Sequence, residues 1–215
     1  VVNWWDIVRG KRAFHDKKQT AKIPITKSVR YYPDAYSFYL LTAMMIPRTL
    51  FSAEHQDFRK SLARFMQDEV VPFHAQWEEQ QHIPRNMWDR AGEMGYLCMT
   101  MPEAYGGLGV DKRYAMILIE EIAHAGASGV GWSLHNDIVA NYVNNYGNEA
   151  QKNHWLPKMA TGEIVTAIAM TEPGTGSDLQ AVRTRAVLEG DHYVLNGSKT
   201  FITNGYLSEM VIVVA

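Results

Sequence analysis

Two textures of apolar spacing divide the chain. Between about residue 49 and residue 162, apolar residues recur three and four apart, the period of an amphipathic helix. Beyond Gly162 they gather in short runs or alternate, as in strands. In SAEHQDFRKSLARFMQDEVVPF, Phe58, Leu62, Phe65, Met66 and Val70 fall on one helix face. Ser52 stands where an N-cap belongs, with Glu54 and Asp57 in or near the first turn, and Pro72 marks the expected stop. A short helix is predicted around 86–94, and MPEAYGGLG (101–109) is a glycine-rich loop that breaks any helix. The spacing over 113–124 predicts a helix with Tyr114, Ile117, Leu118 and Ile122 on one face. Over 133–146 it predicts another, with Leu134, Ile138, Val139, Tyr142, Val143 and Tyr146 inward and Gly147 as its C-terminal glycine. A last helix is predicted over roughly 149–159.

The second texture begins with IVTAIAM, an apolar run of strand type. VRTRAVLEGDHYVLNG reads as two strands joined through Glu189, Gly190 and Asp191, a hairpin signal. SKTFITNG and MVIVVA are predicted to supply two more strands. The fold class expected is therefore α+β: an all-helical N-terminal domain followed by the beginning of an antiparallel β domain. The expected divisions are a leader over 1–43, a helical domain over 44–162 and a partial middle β domain over 163–215. VIVVA would leave an apolar strand near a sheet edge with nothing to cover it, so the chain is expected to be a piece of a longer protein.

Composition narrows this picture little. Of 215 residues, 47% are hydrophobic and 20% charged, ordinary proportions for a globular protein. A net charge of −2 gives no global reason to expect nucleic acid or an anionic membrane as partner. Cys98 is the single cysteine, which rules out an intrachain disulfide and favours a reducing compartment. The histidines are scattered, with no HExxH and no Cys/His cluster at ligand spacing, so no metal site is expected. No apolar run approaches the length of a membrane span. Charge is unevenly spread, however. Arg9, Lys11, Arg12, Lys17, Lys18, Lys22, Lys27 and Arg30 face only Asp6 and Asp16, roughly +6 in the first 30 residues. That stretch lacks an apolar signal core and fits a mitochondrial presequence poorly, since it opens VVNWWDIV. It is expected to be an added leader ahead of a start at Met44 or Met45.

The most informative stretch is AMTEPGTGSDLQAV (169–182). Directly after an apolar strand, Thr171, Thr175 and Ser177 supply hydroxyls, Glu172 and Asp178 carboxylates, and Gly174 and Gly176 are free to take positive φ. Such a loop can aim successive backbone N–H groups outward, which suits a flavin edge or a phosphate. The residues alone equally allow a tight surface turn held by its own Asp and Ser side chains. Glu120 and Glu121 are neighbours on a helix and point in different directions, so no acid/base pair is expected of them; a solvated face or a salt bridge is.

TEPGTGSD precedes LNGSKTFITNG, and upstream of both stands MPEAYGGLG followed by a helix carrying IEEIA. Together these stretches resemble the acyl-CoA dehydrogenase family over about 51–215, most closely its long-chain or bacterial medium-to-long-chain members, while 1–43 matches nothing in it. The resemblance implies an N-terminal helical domain, a middle β domain and a C-terminal four-helix bundle, with FAD between the last two. It matches Ile168, Ala169, Met170 and Thr171 to the strand against the isoalloxazine ring, with Thr171 donating to its pyrimidine side. Gly176 and Ser177 match the phosphate turn, Ser177 lying near the pyrophosphate and the substrate's pantetheine arm. Phe201, Ile202 and Thr203 match the segment at the ring's other edge, the threonine close to N5. Trp132, Leu134 and His135 match the region lining the acyl-chain tunnel, although a helical histidine is more often simply a satisfied buried one. Glu172 is expected to be structural.

What the resemblance implies chemically is α,β-dehydrogenation of an acyl-CoA thioester to the trans-2-enoyl thioester. A carboxylate removes the α proton, the flavin accepts the β hydride and water is excluded. The family's glutamate base lies beyond Ala215, so this chain alone is expected to be inactive. An electron-transfer flavoprotein is the implied electron acceptor and a tetramer or dimer the implied assembly, in the bacterial cytoplasm or alternatively the mitochondrial matrix. An acyl-CoA oxidase of the same superfamily, or a non-catalytic binding module, is the other reading. Intact TEPGTGSD and FITNG segments weigh against the last.

Overall fold

The structure is a computed structural model that describes residues 48–215; the expected leader over 1–43 and the starts at Met44 and Met45 lie outside the described residues. The segment 51–215 forms one compact unit. Its first helix, α1 (Ala53–Phe65), begins as the sequence predicts: the Ser52 hydroxyl accepts the His55 N–H, and the His55 ring nitrogen Nδ1 accepts the Ser52 N–H in return, a capping box.

The helix does not stop at Pro72. A π-helical stretch, Met66–Val70, follows α1 and leads straight into α2 (Val71–Gln80), where the proline stands in the first turn. The proline has no N–H to give and stands directly after the π-helical turns, where the regular i to i−4 bonding is already shifted, so the rod continues past it. The rod ends at Gln81, which takes the left-handed conformation at φ 62°.

Helices α3 (Asn86–Glu93), α4 (Lys112–His124) and α6 (Glu149–Ala160) agree closely with the predicted spans. Asp111 caps α4 and Asn148 caps α6 by accepting backbone N–H bonds. On α4, Ile117 and Leu118 are fully buried, while Tyr114 and Ile122 pack against the same core beside Leu62, Phe65 and Trp88. Between α3 and α4, the glycine-rich loop includes a single 3₁₀ turn, Glu103–Tyr105, closed by left-handed Gly106 at φ 83°.

The helix predicted over 133–146 forms, but its inner face differs. Its first part is π-helical, Leu134–Val139, and only Ala140–Tyr146 (α5) is regular. A π turn takes one residue more than an α turn, so the inward set becomes His135, Asn136, Val139, Ala140 and Val143. Ile138 and Tyr142 are pushed to the outside and Tyr146 is 81% exposed. Gly147 closes the helix in an extended conformation, not the left-handed one expected of a C-terminal glycine.

The strands are β1 (Thr166–Ala169), β2 (Arg185–Glu189), β3 (His192–Asn196) and β4 (Met210–Val213). β2 and β3 make the predicted antiparallel hairpin, with Gly190 at φ 65° in its turn. β1 and β4 instead pair in parallel, Thr166 opposite Met210 and Ala169 opposite Val213, so only one of the two sheets is antiparallel. All four residues of β1 are buried; Ile168, with Ile164 just before the strand, sits in a second core with Val139, Val143, Leu156 and Met159. SKTFITNG is not a strand. Phe201 at φ 55° and Asn204 at φ 64° are both left-handed, and each breaks an extended run. The helical part and the start of a small sheet part are thus joined through a shared core.

Candidate functional site

The turn after β1 is closed by two reciprocal backbone bonds of 3.0 Å between Glu172 and Thr175, with Pro173 and Gly174 at its tip. Pro173 pre-sets the backbone there. Neither Gly174 nor Gly176 has a positive φ, so the conformational freedom expected of them is not used. A Cβ added at either would meet nothing within 4 Å. Within the described chain, then, neither conformation nor packing demands glycine, and the backbone there stays open to close approach from outside. Gly176 and Ser177 are exposed.

The structure brings the two sequence-predicted segments together. Thr200 donates its N–H to the Thr171 carbonyl at 3.0 Å, so 168–171 and 201–203 flank a common edge. Along the first, Ile168 and Ala169 are buried while Met170 and Thr171 are half-buried. Along the second, Phe201 is 92% exposed, Ile202 is half-buried and Thr203 is exposed. A large apolar ring held outward on a left-handed backbone is costly twice over, in hydration and in strain, and such costs gather at functional surfaces.

Beneath that edge lies a polar cluster of Glu172, Thr184 and Lys199. The Glu172 carboxylate accepts the N–H groups of Arg183 (2.8 Å) and Thr184 (2.9 Å), the Thr184 hydroxyl, and the Lys199 ammonium (2.9 Å). Lys199 also donates to the Met170 carbonyl at 2.9 Å. Both charged side chains are almost wholly enclosed, at 4% and 6% exposure. Bonds from Thr184 and then Lys199 hold the Glu172 carboxyl well below its usual range, at about 2. Glu172 is structural, as the sequence suggested; its partners Lys199 and Thr184 were not singled out. The signal that could have found Lys199 was its place two residues before Phe201, since a carboxylate folded into a buried turn needs a cation.

The site is mounted on the helical part through two side chains. Asn204 donates its amide to the carbonyls of Gly131 (3.1 Å) and Thr166 (3.2 Å). His135 lies between the Met159 carbonyl (3.1 Å from Nε2) and the Thr166 hydroxyl (2.9 Å from Nδ1). A carbonyl only accepts, so Nε2 carries the proton and Nδ1 receives the hydroxyl's. Burial lowers the His135 pKa to about 4, which keeps the ring neutral.

Of the three residues expected along an acyl tunnel, only Leu134 is partly accessible; Trp132 and His135 have zero exposure. With no accessible atom in the described chain, those two have no surface on which to meet a substrate, and they stand behind Leu134 as part of the packing. Glu120 and Glu121, unlike the expectation that they diverge, converge on one guanidinium: Arg59 donates to Glu120 at 2.7 Å and to Glu121 at 2.6 Å. Among the described residues no group of three or more His, Cys, Asp or Glu is arranged to hold a metal ion.

Comparisons with known proteins bear on the same residues. Residues 52–163 match the family model for the acyl-CoA dehydrogenase N-terminal domain, and residues 167–215 match that for the acyl-CoA dehydrogenase middle domain. A mitochondrial long-chain specific acyl-CoA dehydrogenase of Sus scrofa is 51% identical over 168 residues, covering 78% of this chain and 39% of that protein. The crystal structure of an acyl-CoA dehydrogenase from Geobacillus kaustophilus superposes with a TM-score of 0.74 at 48% identity, covering 77% of this chain and 43% of that one. An acyl-CoA dehydrogenase from Bacillus anthracis, solved in complex with FAD, superposes with a TM-score of 0.67 at 34% identity, covering 77% of this chain and 29% of that one. The chain thus spans about two fifths of the length of the curated relative it matches.

Proposed function

The chain belongs to the acyl-CoA dehydrogenase family, and from that premise we propose that it is part of an FAD-dependent enzyme that dehydrogenates acyl-CoA thioesters to trans-2-enoyl-CoA in fatty-acid β-oxidation. The observation that carries the reading is the meeting of 168–171 with 201–203 through the Thr200–Thr171 bond, beside a turn whose two glycines face open space. A planar, polar-edged ring against Met170 and Thr171, and a diphosphate against the open backbone at Gly176 and Ser177, fit those residues.

In this reading Met170 and Thr171 meet one side of the cofactor, with the Thr171 hydroxyl available to a ring carbonyl, and the buried Ile168 and Ala169 stand behind them and hold the strand in place. Phe201, Ile202 and Thr203 bind the other edge, and the exposed Phe201 ring gains cover by packing on the flavin. Ser177 serves both the cofactor and the CoA arm. Leu134 faces the acyl chain, backed by Trp132 and His135. FAD, when bound, supplies the hydride acceptor for the substrate's β carbon. The chain's own part is orientation and the exclusion of water: a ring and a thioester fixed at the right distance remove most of the entropic barrier. The base that takes the α proton is assigned to the part of the relatives' length that this chain does not span.

The domain division proposed is 44–162 helical and 163–215 sheet. An electron-transfer flavoprotein is the proposed acceptor of the electrons, and a homo-oligomer the proposed assembly. The compartment is proposed to be the bacterial cytoplasm or the mitochondrial matrix, in keeping with relatives of both origins. Among the described residues no helix is long and apolar enough to cross a membrane.

The test is an absorbance spectrum of the purified gene product carrying this chain, before and after anaerobic addition of a long-chain acyl-CoA. Flavin that copurifies and bleaches is the expected result. Flavin that does not bleach would retain the cofactor site and overturn the substrate; absence of flavin would overturn both. Rapid reoxidation of the bleached flavin in air would redirect the reading to an oxidase.

A further inference from the structure

We propose that Glu172 and Lys199 act as a buried positioning pair that sets the separation of the two cofactor-facing segments, a role that rests on the reading of the site given above. Each partner sits within two residues of a proposed contact: Glu172 directly follows Thr171, and Lys199 stands two residues before Phe201. Lys199 joins the segments twice over, once to the Glu172 carboxylate and once to the Met170 carbonyl, both at 2.9 Å. Through Arg183 and Thr184, Glu172 also ties in the chain leading to β2. Three stretches that are distant in sequence therefore meet at one carboxylate.

The energetics argue that this cluster does more than hold the fold. Enclosing two charges costs desolvation that their attraction only roughly repays, and well-packed neutral residues of similar size commonly do as well. What an ion pair with several directed bonds does better than apolar packing is to fix relative position, because its geometry tolerates little displacement. Tight positioning is what a two-sided flavin site needs. Glu172 opens the turn at 172–175 and Lys199 leads into the left-handed Phe201, so their bond ties the position of the one to that of the other.

The test is made on the gene product carrying this chain, with Glu172→Gln, Lys199→Met, the double variant, and Lys199→Arg. Thermal unfolding of the apoprotein and the FAD dissociation constant, from quenching of flavin fluorescence, are read in parallel. The double variant removes both charges without leaving either unpaired, so its apoprotein is expected to melt near the unsubstituted protein. Its FAD affinity is expected to fall roughly tenfold or more, with blurring of the vibronic structure of the bound flavin's visible band. Neither single variant should bind FAD more tightly than the double, and Lys199→Arg should recover most of the affinity. A double variant that folds and binds FAD as the unsubstituted protein does, with the same spectrum, overturns the proposal. If the unsubstituted protein binds no FAD, the reading of the site falls first and takes this proposal with it.

Discussion

The side chain of Asn204 occupies the space that a side chain on Gly131 would need. Its amide donates to the Gly131 carbonyl at 3.1 Å and to the Thr166 carbonyl at 3.2 Å, and a Cβ on Gly131 would overlap Asn204 Oδ1. The glycine is therefore required by close approach and not by its backbone angles. Gly131→Ala is expected to push Asn204 aside and to destabilise the protein by about 1–3 kcal/mol, the usual cost of overpacking. Asn204→Ala loses two bonds but makes room. The double substitution should then cost no more than Asn204→Ala alone, a non-additivity that urea midpoints would reveal. Additive costs would mean that the two residues do not compete for space.

Residues such as these explain which parts of the molecule could be read from the chain. The helices were legible because their signals are local: the apolar spacing marked each of them and Ser52 marked the start of α1, while Asp111 and Asn148, which were not singled out, also bond within three residues of themselves. The hairpin was legible through Gly190 for the same reason. What escaped is non-local. The π-helical stretches rotate a face by one position, and nothing in the apolar spacing marks them. Ile138, Tyr142 and Tyr146 point outward because His135 and Asn136 have polar partners in the core, near Met159 and Tyr96. SKTFITNG reads as a strand because no local signal marks the left-handed residues Phe201 and Asn204, and the bonds of Asn204 go to the distant Gly131 and Thr166. The TEPGTGSD motif was legible, whereas its underpinning by Lys199, 27 residues away, was not.

The double clamp on Arg59 carries an asymmetric expectation. Glu121 is nearly buried at 6% side-chain exposure and Glu120 less so at 23%. Arg59→Met takes the guanidinium from a buried carboxylate and leaves the half-exposed His124 ring, 3.3 Å away, beside it, which should cost up to about 3–5 kcal/mol. Glu120→Gln removes one prong of a partly exposed pair and should cost about 1 kcal/mol or less. Equal losses in unfolding free energy for the two variants would show that Glu121 is not the partner that matters.

Cys98 is fully buried in a left-handed conformation at φ 49°, its N–H held by Asn136 Oδ1 at 2.9 Å. Burial, and then the nearby Asp137 carboxylate, push the thiol's pKa well up, so the reactive thiolate is suppressed. Iodoacetamide is expected to leave Cys98 unmodified in the folded protein and to label it at the rate of unfolding in denaturant. Rapid labelling under native conditions, read by intact mass, would contradict this burial.

The buried His135 ring makes stability depend on pH in a direction the linkage fixes. Its folded pKa, lowered to about 4 mainly by burial, lies below the ordinary 6.5 of the unfolded chain. Between those values the unfolded state binds a proton that the folded state cannot, so stability is whole above about 6.5 and falls as pH drops toward 4. At about 1.4 kcal/mol per pKa unit the full loss is on the order of 3 kcal/mol. Glu172 acts in a lower window, because its folded pKa of about 2 lies below the ordinary 4.5. Its contribution is whole above 4.5 and is lost as pH falls toward 2. His135→Gln keeps a donor for Met159 and an acceptor for Thr166 but has no proton to gain. The variant is expected to be flat where the unsubstituted protein loses stability between pH 6.5 and 4.5, and both should decline together below that. Urea unfolding midpoints at half-unit pH steps make the comparison. The same slope in both proteins through the upper window would assign the loss to other histidines and remove His135 as its source.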